Sequence, residues 1–218
     1  MKKLLKLFQK KQVQYEIPNE PYFWEDRIAK LPICVELLKN YKTIKEEVEA
    51  FIKTPEILQD YPKYKVFDKE LYDVYWKAFP LSNFDGEYVE FDEEQHEFIK
   101  ELASLAKLNC PTIQKIISGL EADGKVANVF VSKLIPGSII NEHHGWSDKW
   151  MRVHLGLICD EECKITVGKE TKAWKEGKLL AFKDGGPYLH SVRHNGKSER
   201  IILSIDISLD YIQTFLKK

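Results

Sequence analysis

The stretch of sequence that decides the fold lies in the second half of the chain. Residues 141–206 read NEHHGWSDKWMRVHLGLICDEECKITVGKETKAWKEGKLLAFKDGGPYLHSVRHNGKSERIILSID. Five of the six histidines of this 218-residue chain fall within it, and Arg152 and Arg200 lie on two segments with the alternation of β-strands. We interpret this stretch as a functional site that holds a metal and an anion, and the rest of the chain as its housing.

The second half of the chain is a run of short segments rich in β-branched and aromatic residues, separated by turn signals. Close spacing of such segments favours an antiparallel sandwich or barrel over a parallel sheet. Because helical signals precede the strands, we predict an α+β fold in which N-terminal helices cover one sheet. The predicted strands are residues 126–135, 149–158, 164–167, 178–182, 188–193 and 199–207.

Two of these strands have one apolar and one polar face. In residues 151–157 and 201–207 the odd positions are apolar, and side chains alternate across a strand. The even positions include Arg152, His154 and Asp206. A polar face in water is common in antiparallel sheets, but such faces usually carry Lys, Glu and Thr. We therefore predict that the polar faces line a jelly-roll cavity and that the apolar faces contact the helices.

Asn195-Gly196, between the last two predicted strands, is a hairpin signal. A two-residue loop would place His190 and Arg200 on opposite faces, whereas a three-residue loop over residues 195–197 places them on one face. We predict the three-residue loop. His194, next to the predicted hairpin tip, is expected to be exposed to solvent.

Helical periodicity dominates the first half, and residues 1–120 are predicted to be mainly helical support. A helix is expected over residues 24–40 despite Pro32, because apolar residues recur there at helical spacing. Thr43 followed by Glu46 is typical of a capping box and predicts the start of a second helix. The apolar positions of the first helix are Ile28, Leu31, Val35 and Leu38.

Residues 61–88 are rich in aromatic and β-branched side chains, which predicts one or two strands or an ordered loop. The aromatic segment 72–84 is expected to line the substrate side of the site or, equally, to pack in the core. Beyond it, Asp92 is predicted to cap one helix, and Pro111 to begin another that ends near Gly119.

Composition limits the classes of function. The net charge is −1, so the chain lacks the basic footprint of a nucleic-acid-binding protein. No uncharged apolar run is long enough to predict a transmembrane span. The chain length predicts one domain over residues 1–218, with a jelly-roll core over residues 121–218.

Residues 1–12 are basic, and Lys6 interrupts their apolar run, which argues against a secretory signal. We expect a terminal helix that docks on the domain, with weak contact with a membrane as the alternative. The four cysteines form no C-x-x-C pair, and without an export signal they are expected to be reduced in a cytoplasmic protein.

Histidines near both ends of the strand region predict a metal site. Iron sites with open coordination positions use histidines from separate strands, here an early one and a late one. The early candidates are His143 and His144, and the late candidate is His190. A carboxylate commonly follows the first histidine by two residues, but those positions hold Gly145 and Trp146. The pattern predicts a two-histidine iron site, with zinc as the alternative metal.

Ordered blocks over residues 126–207 resemble one family, the aspartyl/asparaginyl β-hydroxylases. Members of that family are iron(II)- and 2-oxoglutarate-dependent oxygenases with a double-stranded β-helix, or jelly-roll, fold. A series of blocks in the same order is much more specific than a single H-x-G motif. The blocks are Pro136-Gly137, His143-His144-Gly145, RVHLGL at residues 152–157, Trp174-x-x-Gly177, Phe182-x-Asp184 and His190-x-Val192, followed by Arg200 and Asp206.

The resemblance implies a role for each of three residues in this chain. His143 and His190 would be the ligands of iron(II), and Gly145 stands where other oxygenases keep a carboxylate. Arg200 would pair with the distal carboxylate of 2-oxoglutarate, a bidentate contact that suits a guanidinium group. Dioxygen (O2) would be the other reactant.

The resemblance also implies a wider set of binding residues. Three polar residues match positions that help to hold the cosubstrate, namely Ser132, Arg152 and His154. Three further residues are placed on the substrate side, namely Trp76, His144 and Trp146. The substrate would be a peptide, a protein or a small molecule, with no nucleic acid involved.

Three hypotheses for the function remain. The first is hydroxylation at the β-carbon of an Asp- or Asn-type residue, and the second is hydroxylation of a lipid acyl chain or of a free or carrier-bound amino acid. The third is a non-catalytic jelly-roll binding protein, against which the joint presence of His143, His190 and Arg200 argues. Cys110 lacks the partner cysteine of lumenal relatives, with Ala103 near that position, so disulfide-rich domains are doubtful substrates.

Overall fold

The computed structural model describes residues 20–54, 57, 76–82, 93–145 and 147–217. The helices are α1 (Glu25–Ile28), α2 (Pro32–Lys39), α3 (Tyr41–Phe51), α4 (Glu93–Asn109), α5 (Pro111–Ala122) and α6 (Leu209–Leu216). The strands are β1 (Trp76–Pro80), β2 (Val126–Leu134), β3 (Ile139–His143), β4 (Trp150–Ile158), β5 (Cys163–Val167), β6 (Glu170–Ala173), β7 (Leu179–Lys183), β8 (His190–His194) and β9 (Arg200–Ser208).

The strands form two sheets in which neighbouring strands are antiparallel. One sheet has the order β1-β2-β9-β4-β7 and the other has the order β3-β8-β5-β6. From β2 to β9 the chain passes repeatedly between the two sheets, as it does in a jelly roll. Helices cover one side of the five-stranded sheet, and the predicted α+β jelly-roll fold is therefore confirmed.

Two apolar cores hold these layers together. The odd-numbered side chains of β4 and β9, such as Val153 and Leu203, pack with helical residues such as Ile33 and Ile113. A second core lies between the sheets and includes Ile165. Full burial of such side chains contributes roughly 1.5–3 kcal/mol each. The alternation in the sequence correctly predicted which face of these strands contacts the helices.

All six predicted strands occur, with ends that differ from the prediction by at most two residues. Strands β3 and β6 were not among the predicted strands. Strand β6 lies at the edge of its sheet, where β5 is its one partner among the described strands, and its side chains are mostly polar. Such a strand depends on backbone pairing, which leaves little pattern in the sequence. Within the aromatic segment 72–84 the structure describes residues 76–82, and these contain strand β1.

The predicted continuous helix over residues 24–40 is wrong. It divides into α1 and α2, and Pro32 is the first residue of α2. The residue before it, Leu31, is extended with φ −61° and ψ 133°, because the proline ring excludes a helical conformation there. The break changes the apolar face, so that Leu37 is buried whereas Val35 is 45% exposed.

The predicted capping box at Thr43 and Glu46 is also wrong. Helix α3 begins at Tyr41, and its N-cap residue Asn40 makes no side-chain capping hydrogen bond. The Nδ2 atom of Asn40 instead donates to the carbonyl oxygen of Glu36 at 2.8 Å, which satisfies the end of α2. The second helix therefore follows the first almost without a linker.

Helix α5 confirms the predicted start at Pro111 but continues to Ala122, beyond the predicted end near Gly119. The predictions for residues 1–12 and for the Asp92 cap lie outside the described residues. Across the described ranges, no helix combines the length and the apolar character needed to cross a membrane.

Strands β8 and β9 do not pair with each other. Strand β8 lies between β3 and β5, and β9 lies between β2 and β4 in the other sheet. The predicted three-residue hairpin is therefore wrong, because the chain between the strands crosses from one sheet to the other. The residue opposite Arg200 is Leu134 of β2.

One carboxylate holds this crossing segment. The Oδ2 atom of Asp160, in the β4–β5 loop, accepts hydrogen bonds from the backbone N–H groups of Lys197 at 2.8 Å and Ser198 at 3.0 Å. The hydroxyl of Ser198 donates to the same oxygen at 3.0 Å. These backbone donors hold the pKa of Asp160 well below its usual range.

His194 does not lie at an exposed hairpin tip, and its predicted exposure to solvent is wrong. The side chain is 1% exposed. The backbone N–H of Gly196 donates to its Nδ1 atom at 3.2 Å. His194 is the last residue of β8, which lies between β3 and β5, and its Cα partner on β5 is Cys163.

Candidate functional site

A cavity between the two sheets collects polar side chains from both. Every residue that the family resemblance implies as a ligand of the metal or the cosubstrate lines it. These residues are His143, His190, Ser132, Arg152, His154 and Arg200. Apolar and aromatic side chains complete the lining, namely Trp76, Phe130, Ile140, Ile165, Trp174, Phe182, Val192 and Ile202.

His143 and His190 face each other across the β3–β8 ladder. Their Cα atoms are direct partners, and their ring centroids lie 4.1 Å apart. The Nδ1 atom of His143 lies 2.7 Å from the carbonyl oxygen of Asn141, so it carries a proton and donates. The Nε2 atom of His143 is therefore the unprotonated nitrogen of a neutral ring, which is the form that binds a metal.

Burial keeps both of these histidines neutral. It lowers the pKa of His143, with a smaller lowering contribution from the charge of Arg152. It lowers the pKa of His190 well below the usual value, and neighbouring His143 and Arg152 act in the same direction. The Nδ1 atom of His190 is buried without a hydrogen-bond partner in the described chain. Two neutral imidazoles, one with an unsatisfied nitrogen, fit a divalent transition metal.

Asp184 lies beside this pair, although no role was predicted for it from the sequence. Its Oδ1 atom is 3.4 Å from Nε2 of His190, and its Oδ2 atom is buried without a hydrogen-bond partner. Burial raises the pKa of Asp184 to about 6, with Arg152 opposing and Asp206 adding to the shift. The sequence signal for Asp184 was the Phe182-x-Asp184 block.

Asp184 also explains why residue 145 is glycine. A Cβ atom at Gly145 would overlap Oδ2 of Asp184 and lie 2.8 Å from its backbone carbon. The backbone N–H of Gly145 donates to the carbonyl oxygen of Asp184 at 2.8 Å. The space that a carboxylate at position 145 would need is therefore filled by Asp184. Among the described residues, no group of three or more His, Cys, Asp or Glu side chains is arranged to hold a metal.

Arg152 pairs with two carboxylates. Its Nε and Nη2 atoms donate to Asp206 at 2.9 and 3.0 Å, and its Nη1 atom donates to Asp184 at 2.8 Å. Asn128 donates to Asp206 at 3.0 Å from a left-handed backbone conformation with φ 46°. This network fixes Asp184 next to His190. The predicted role of Arg152 in holding a cosubstrate stays a prediction.

Arg200 is a buried cation. It is 1% exposed, and its Nη1 atom donates to the carbonyl and hydroxyl oxygens of Ser132, each at 3.1 Å. No carboxylate of the described chain forms an ion pair with it. Two cysteines lie nearby, but burial raises the pKa of Cys159 to about 12 and also raises that of Cys163, so both are neutral thiols. A buried cation of this kind favours binding of an anion.

His154 lies beside the ring of Trp174, which Arg200 also contacts. The Nε1 atom of Trp174 donates to its Nδ1 atom at 3.2 Å. Burial lowers the pKa of His154 well below its usual value, and Arg152 and Arg200 lower it further. His154 is therefore a neutral hydrogen-bonding residue. Trp174 belongs to one of the family blocks, but its contact with His154 was not predicted from the sequence.

The three predicted substrate-side residues have different positions. Trp76 lines the cavity, and its Nε1 atom donates to Oγ of Ser132 at 2.9 Å. His144 is exposed and lies outside the cavity lining, so the early metal candidate that the structure brings to His190 is His143. Trp146 lies outside the described residues.

Comparison with known proteins places the chain in a class. The family defined as aspartyl/asparaginyl β-hydroxylase matches residues 38–209. The chain belongs to the aspartyl/asparaginyl β-hydroxylase family, whose name describes hydroxylases.

Curated relatives agree with that membership. Aspartate β-hydroxylase domain-containing protein 2 of Rattus norvegicus is 30% identical over 201 residues, which are 88% of this chain and 52% of that protein. The human protein of that name is 28% identical over 88% of this chain and 48% of its own length. Human aspartyl/asparaginyl β-hydroxylase is 40% identical over 73 residues, 9% of its length. The chain thus spans about half the length of the domain-containing relatives.

The solved structures that match part of this chain are jelly-roll proteins, and their structural similarity to it is low. A predicted oxalate decarboxylase from Thermotoga maritima has a TM-score of 0.34 and 22% identity, over 41% of this chain and 74% of that one. A cupin domain of a transcriptional regulator from Enterobacter cloacae has a TM-score of 0.32 and 14% identity, over 38% and 81%. The fold assignment rests on the strand order itself.

Proposed function

We propose that this chain is an iron(II)- and 2-oxoglutarate-dependent dioxygenase that hydroxylates a C–H bond. We further propose that the reacting carbon is the β-carbon of an Asp- or Asn-type residue in a peptide or protein. The observation that supports this best is the presence of His143, His190 and Arg200 in one cavity. Two neutral histidines suit ferrous iron, and a buried guanidinium that forms no ion pair within the described part of the chain suits a carboxylate.

Bound iron(II), together with 2-oxoglutarate, would supply the activation of dioxygen that hydroxylation of a C–H bond requires. The chain contributes His143 and His190 as ligands. The Nδ1–H group of His143 donates to the carbonyl of Asn141, which orients the ring and leaves Nε2 for the metal. With two protein ligands, coordination positions stay open for the cosubstrate and dioxygen.

Asp184 and Arg152 have a supporting role in this proposal. Arg152 holds Asp184 at 2.8 Å, and Asp184 lies 3.4 Å from Nε2 of His190. The carboxylate can therefore orient His190 or accept a proton from a water molecule beside it. The pKa of Asp184, raised to about 6, suits a group that exchanges a proton near neutral pH.

Arg200 would hold the far end of the cosubstrate. It lies on β9, in the sheet opposite β3 and β8, so a ligand that reaches from the histidines to Arg200 spans the cavity. Ser132 fixes one side of the guanidinium group. Water exclusion by Phe130, Phe182 and Ile202 strengthens the pairing of a carboxylate with Arg200.

The test is succinate formation from 2-oxoglutarate by anaerobically iron-loaded protein after exposure to air. We expect turnover without added substrate in the wild type and none in His190→Ala, which removes a ligand. Arg200→Lys should raise the KM for 2-oxoglutarate by roughly 10-fold or more, because lysine cannot form the bidentate contact. His144→Ala is the matched control, since His144 is exposed and outside the cavity.

Equal turnover in the wild type and His190→Ala would contradict the assignment of the metal ligands. Binding of 2-oxoglutarate with no turnover and no iron uptake would favour a non-catalytic jelly-roll binding protein. With turnover established, peptides containing Asp or Asn, free amino acids and acyl lipids should be compared by mass spectrometry. A gain of 16 Da on the lipid alone would replace the Asp/Asn proposal with the lipid hydroxylase alternative.

The free cysteines are the basis for a proposed cellular location. The cysteines Cys34, Cys110, Cys159 and Cys163 are free, and all but Cys159 are buried. Free thiols fit the proposed cytoplasmic location, where they stay reduced.

A further inference from the structure

Two tryptophan side chains direct their indole N–H groups at polar atoms of the inner cavity. Nε1 of Trp174 donates to Nδ1 of His154 at 3.2 Å, and Nε1 of Trp76 donates to Oγ of Ser132 at 2.9 Å. An indole N–H can only donate. Each contact therefore determines which atom of the receiving side chain is the acceptor.

The contact with Trp174 fixes the protonation pattern of His154. A neutral imidazole has one acceptor nitrogen and one donor nitrogen. Because the acceptor is Nδ1, the proton is on Nε2. His154 is 7% exposed and lines the cavity, and burial keeps it neutral. The ring therefore has a donor, and no acceptor, left for a ligand.

The contact with Trp76 has the same effect on Ser132. The hydroxyl oxygen accepts from Nε1 of Trp76 and from Nη1 of Arg200 at 3.1 Å. A hydroxyl oxygen has two lone pairs, so both are engaged. The remaining capacity of Ser132 is its own O–H, which can only donate.

Trp174 also supports Arg200. The Cζ atom of Arg200 lies 4.7 Å from the centroid of the indole ring, within the range of a cation–π contact. Trp174 lies in the loop that follows β6. The backbone N–H of Gly177 in this loop donates to the carbonyl oxygen of Gly156 in β4 at 2.9 Å. A Cβ atom at Gly156 would lie 2.9 Å from the backbone carbon of Lys175. Gly156 thus permits the close approach of this loop.

We propose that Trp174 and Trp76 are positioning residues that leave hydrogen-bond donors only, from Arg200, Ser132 and His154, at the inner end of the cavity. That end then binds an ionised carboxylate and rejects its amide, whose N–H groups find no acceptor. The identity of the natural ligand as 2-oxoglutarate rests on the proposed function. The donor arrangement itself belongs to the ligand-free protein.

The first test measures the tautomer of His154 in ligand-free, metal-free protein labelled with nitrogen-15 in histidine. Long-range nitrogen–proton correlation spectra distinguish the two neutral tautomers. We expect the wild type to have the proton on Nε2. Trp174→Phe, which keeps an aromatic ring beside Arg200 but lacks the N–H, should give a mixture of tautomers.

Trp150→Phe is the matched control. The Nε1 atom of Trp150 is buried without a partner in the described chain, and Trp150 lies outside the cavity lining. The variant also removes an indole N–H and should leave the tautomer of His154 unchanged. A proton on Nδ1 in the wild type would overturn the proposal even if no variant folds.

The second test compares butyrate with butyramide, which have the same shape and one polar end each. Their dissociation constants are measured from chemical shifts of the indole N–H groups. We expect the wild type to bind butyrate at least ~100-fold more tightly, since the amide leaves donors facing donors. In Trp174→Phe this ratio should fall at least ~5-fold, because the second tautomer of His154 can accept from the amide.

These two measurements distinguish the positioning role of the tryptophans from the proposed function, on which the identity of the ligand rests. They also distinguish it from a general loss of packing. Weaker binding of both probes by one factor, with the tautomer of His154 unchanged, would overturn the positioning role of Trp174. Absence of succinate formation, with the expected tautomer and the expected preference for butyrate, would contradict the proposed function and leave this inference intact.

Discussion

Gly145 is a position of the site at which a side chain does not fit without movement of its neighbours. Any side chain there meets the carboxylate and the backbone carbon of Asp184. Gly145→Ala should destabilise the fold by roughly 2–4 kcal/mol and weaken metal binding, because Asp184 must move away from Arg152. Gly145→Asp, which would restore the common carboxylate ligand, should not rescue metal binding. Urea unfolding and manganese titration measure the two effects.

Gly119→Ala provides the control for that prediction. A Cβ atom at Gly119, on α5, meets nothing within 4 Å. Alanine in a helix is favoured over glycine by roughly 0.5–1 kcal/mol, so this variant should be as stable as the wild type or more so. Equal stability of Gly145→Ala and Gly119→Ala would show that Asp184 can vacate the space without cost.

At the residue scale, the sequence predicted the members of the site but not their partners. His190 and Arg200 were predictable because their residue types and order are unusual for a solvent-facing sheet. The pattern left His143 and His144 open as the early candidate, and only the family resemblance pointed to His143. The pairing of Arg152 with Asp184 was not predictable, because these residues are 32 positions apart and local alternation carries no information about contacts between strands.

The crossing between β8 and β9 is the element that brings the two halves of the site together. Asp160 accepts three hydrogen bonds from Lys197 and Ser198 in this segment. Asp160→Ala should lower the Tm, because these backbone donors lose their acceptor. Since His190 precedes the crossing and Arg200 follows it, affinity for 2-oxoglutarate should fall as well. Thermal unfolding and a binding titration test both effects.

Glu161→Ala is the control for that prediction, since Glu161 is the exposed neighbour of Asp160 in the same loop. Its Tm should match that of the wild type. A Tm of Asp160→Ala equal to that of Glu161→Ala would mean that the crossing holds its course without the carboxylate. The pKa of Asp160 is depressed, so its contribution is present above the unfolded pKa and is lost as pH falls through the folded pKa.

At the element scale, strand positions were predictable and strand partners were not. Alternation fixes the faces of β8 and β9 whether they form a hairpin or belong to separate sheets, so Asn195-Gly196 could not distinguish the two. The predicted shared face of one hairpin is wrong, since His190 and Arg200 lie in different sheets. They line one cavity because the polar faces of the two sheets point at each other. The helix boundary at Pro32 was predicted wrongly although the sequence contained the reason for it, since a proline disfavours a helical conformation of the residue before it.

Across the whole molecule, buried histidines should make the protein sensitive to acid. Burial lowers the pKa values of His143, His154, His190 and His194 below the usual value of 6.5. A histidine with a lowered folded-state pKa stabilises the fold above its unfolded pKa, and that stability is lost as pH falls towards the folded value. Each such histidine contributes a slope of up to about 1.4 kcal/mol per pH unit.

Asp184 acts in the opposite direction over part of this range. Its pKa is raised to about 6, so its contribution to stability is present below its unfolded pKa and is lost as pH rises through 6. Four histidines outweigh one carboxylate, so the free energy of unfolding of metal-free protein should decrease from pH 6.5 to pH 5. Urea unfolding at several pH values measures it, and His154→Gln should give a shallower slope. A constant free energy over this interval would contradict the burial argument.

A ligand that fills the cavity would contact both sheets of the molecule. His143 and His190 belong to one sheet, and Arg200 belongs to the other. A cosubstrate that contacts both, as proposed, is a non-covalent bridge across the mouth of the jelly roll. Its binding free energy is then also free energy that holds the sheets together, and folding and occupancy of the site become linked equilibria. A bound cosubstrate would therefore stabilise the packing of the two sheets as well as occupy the site.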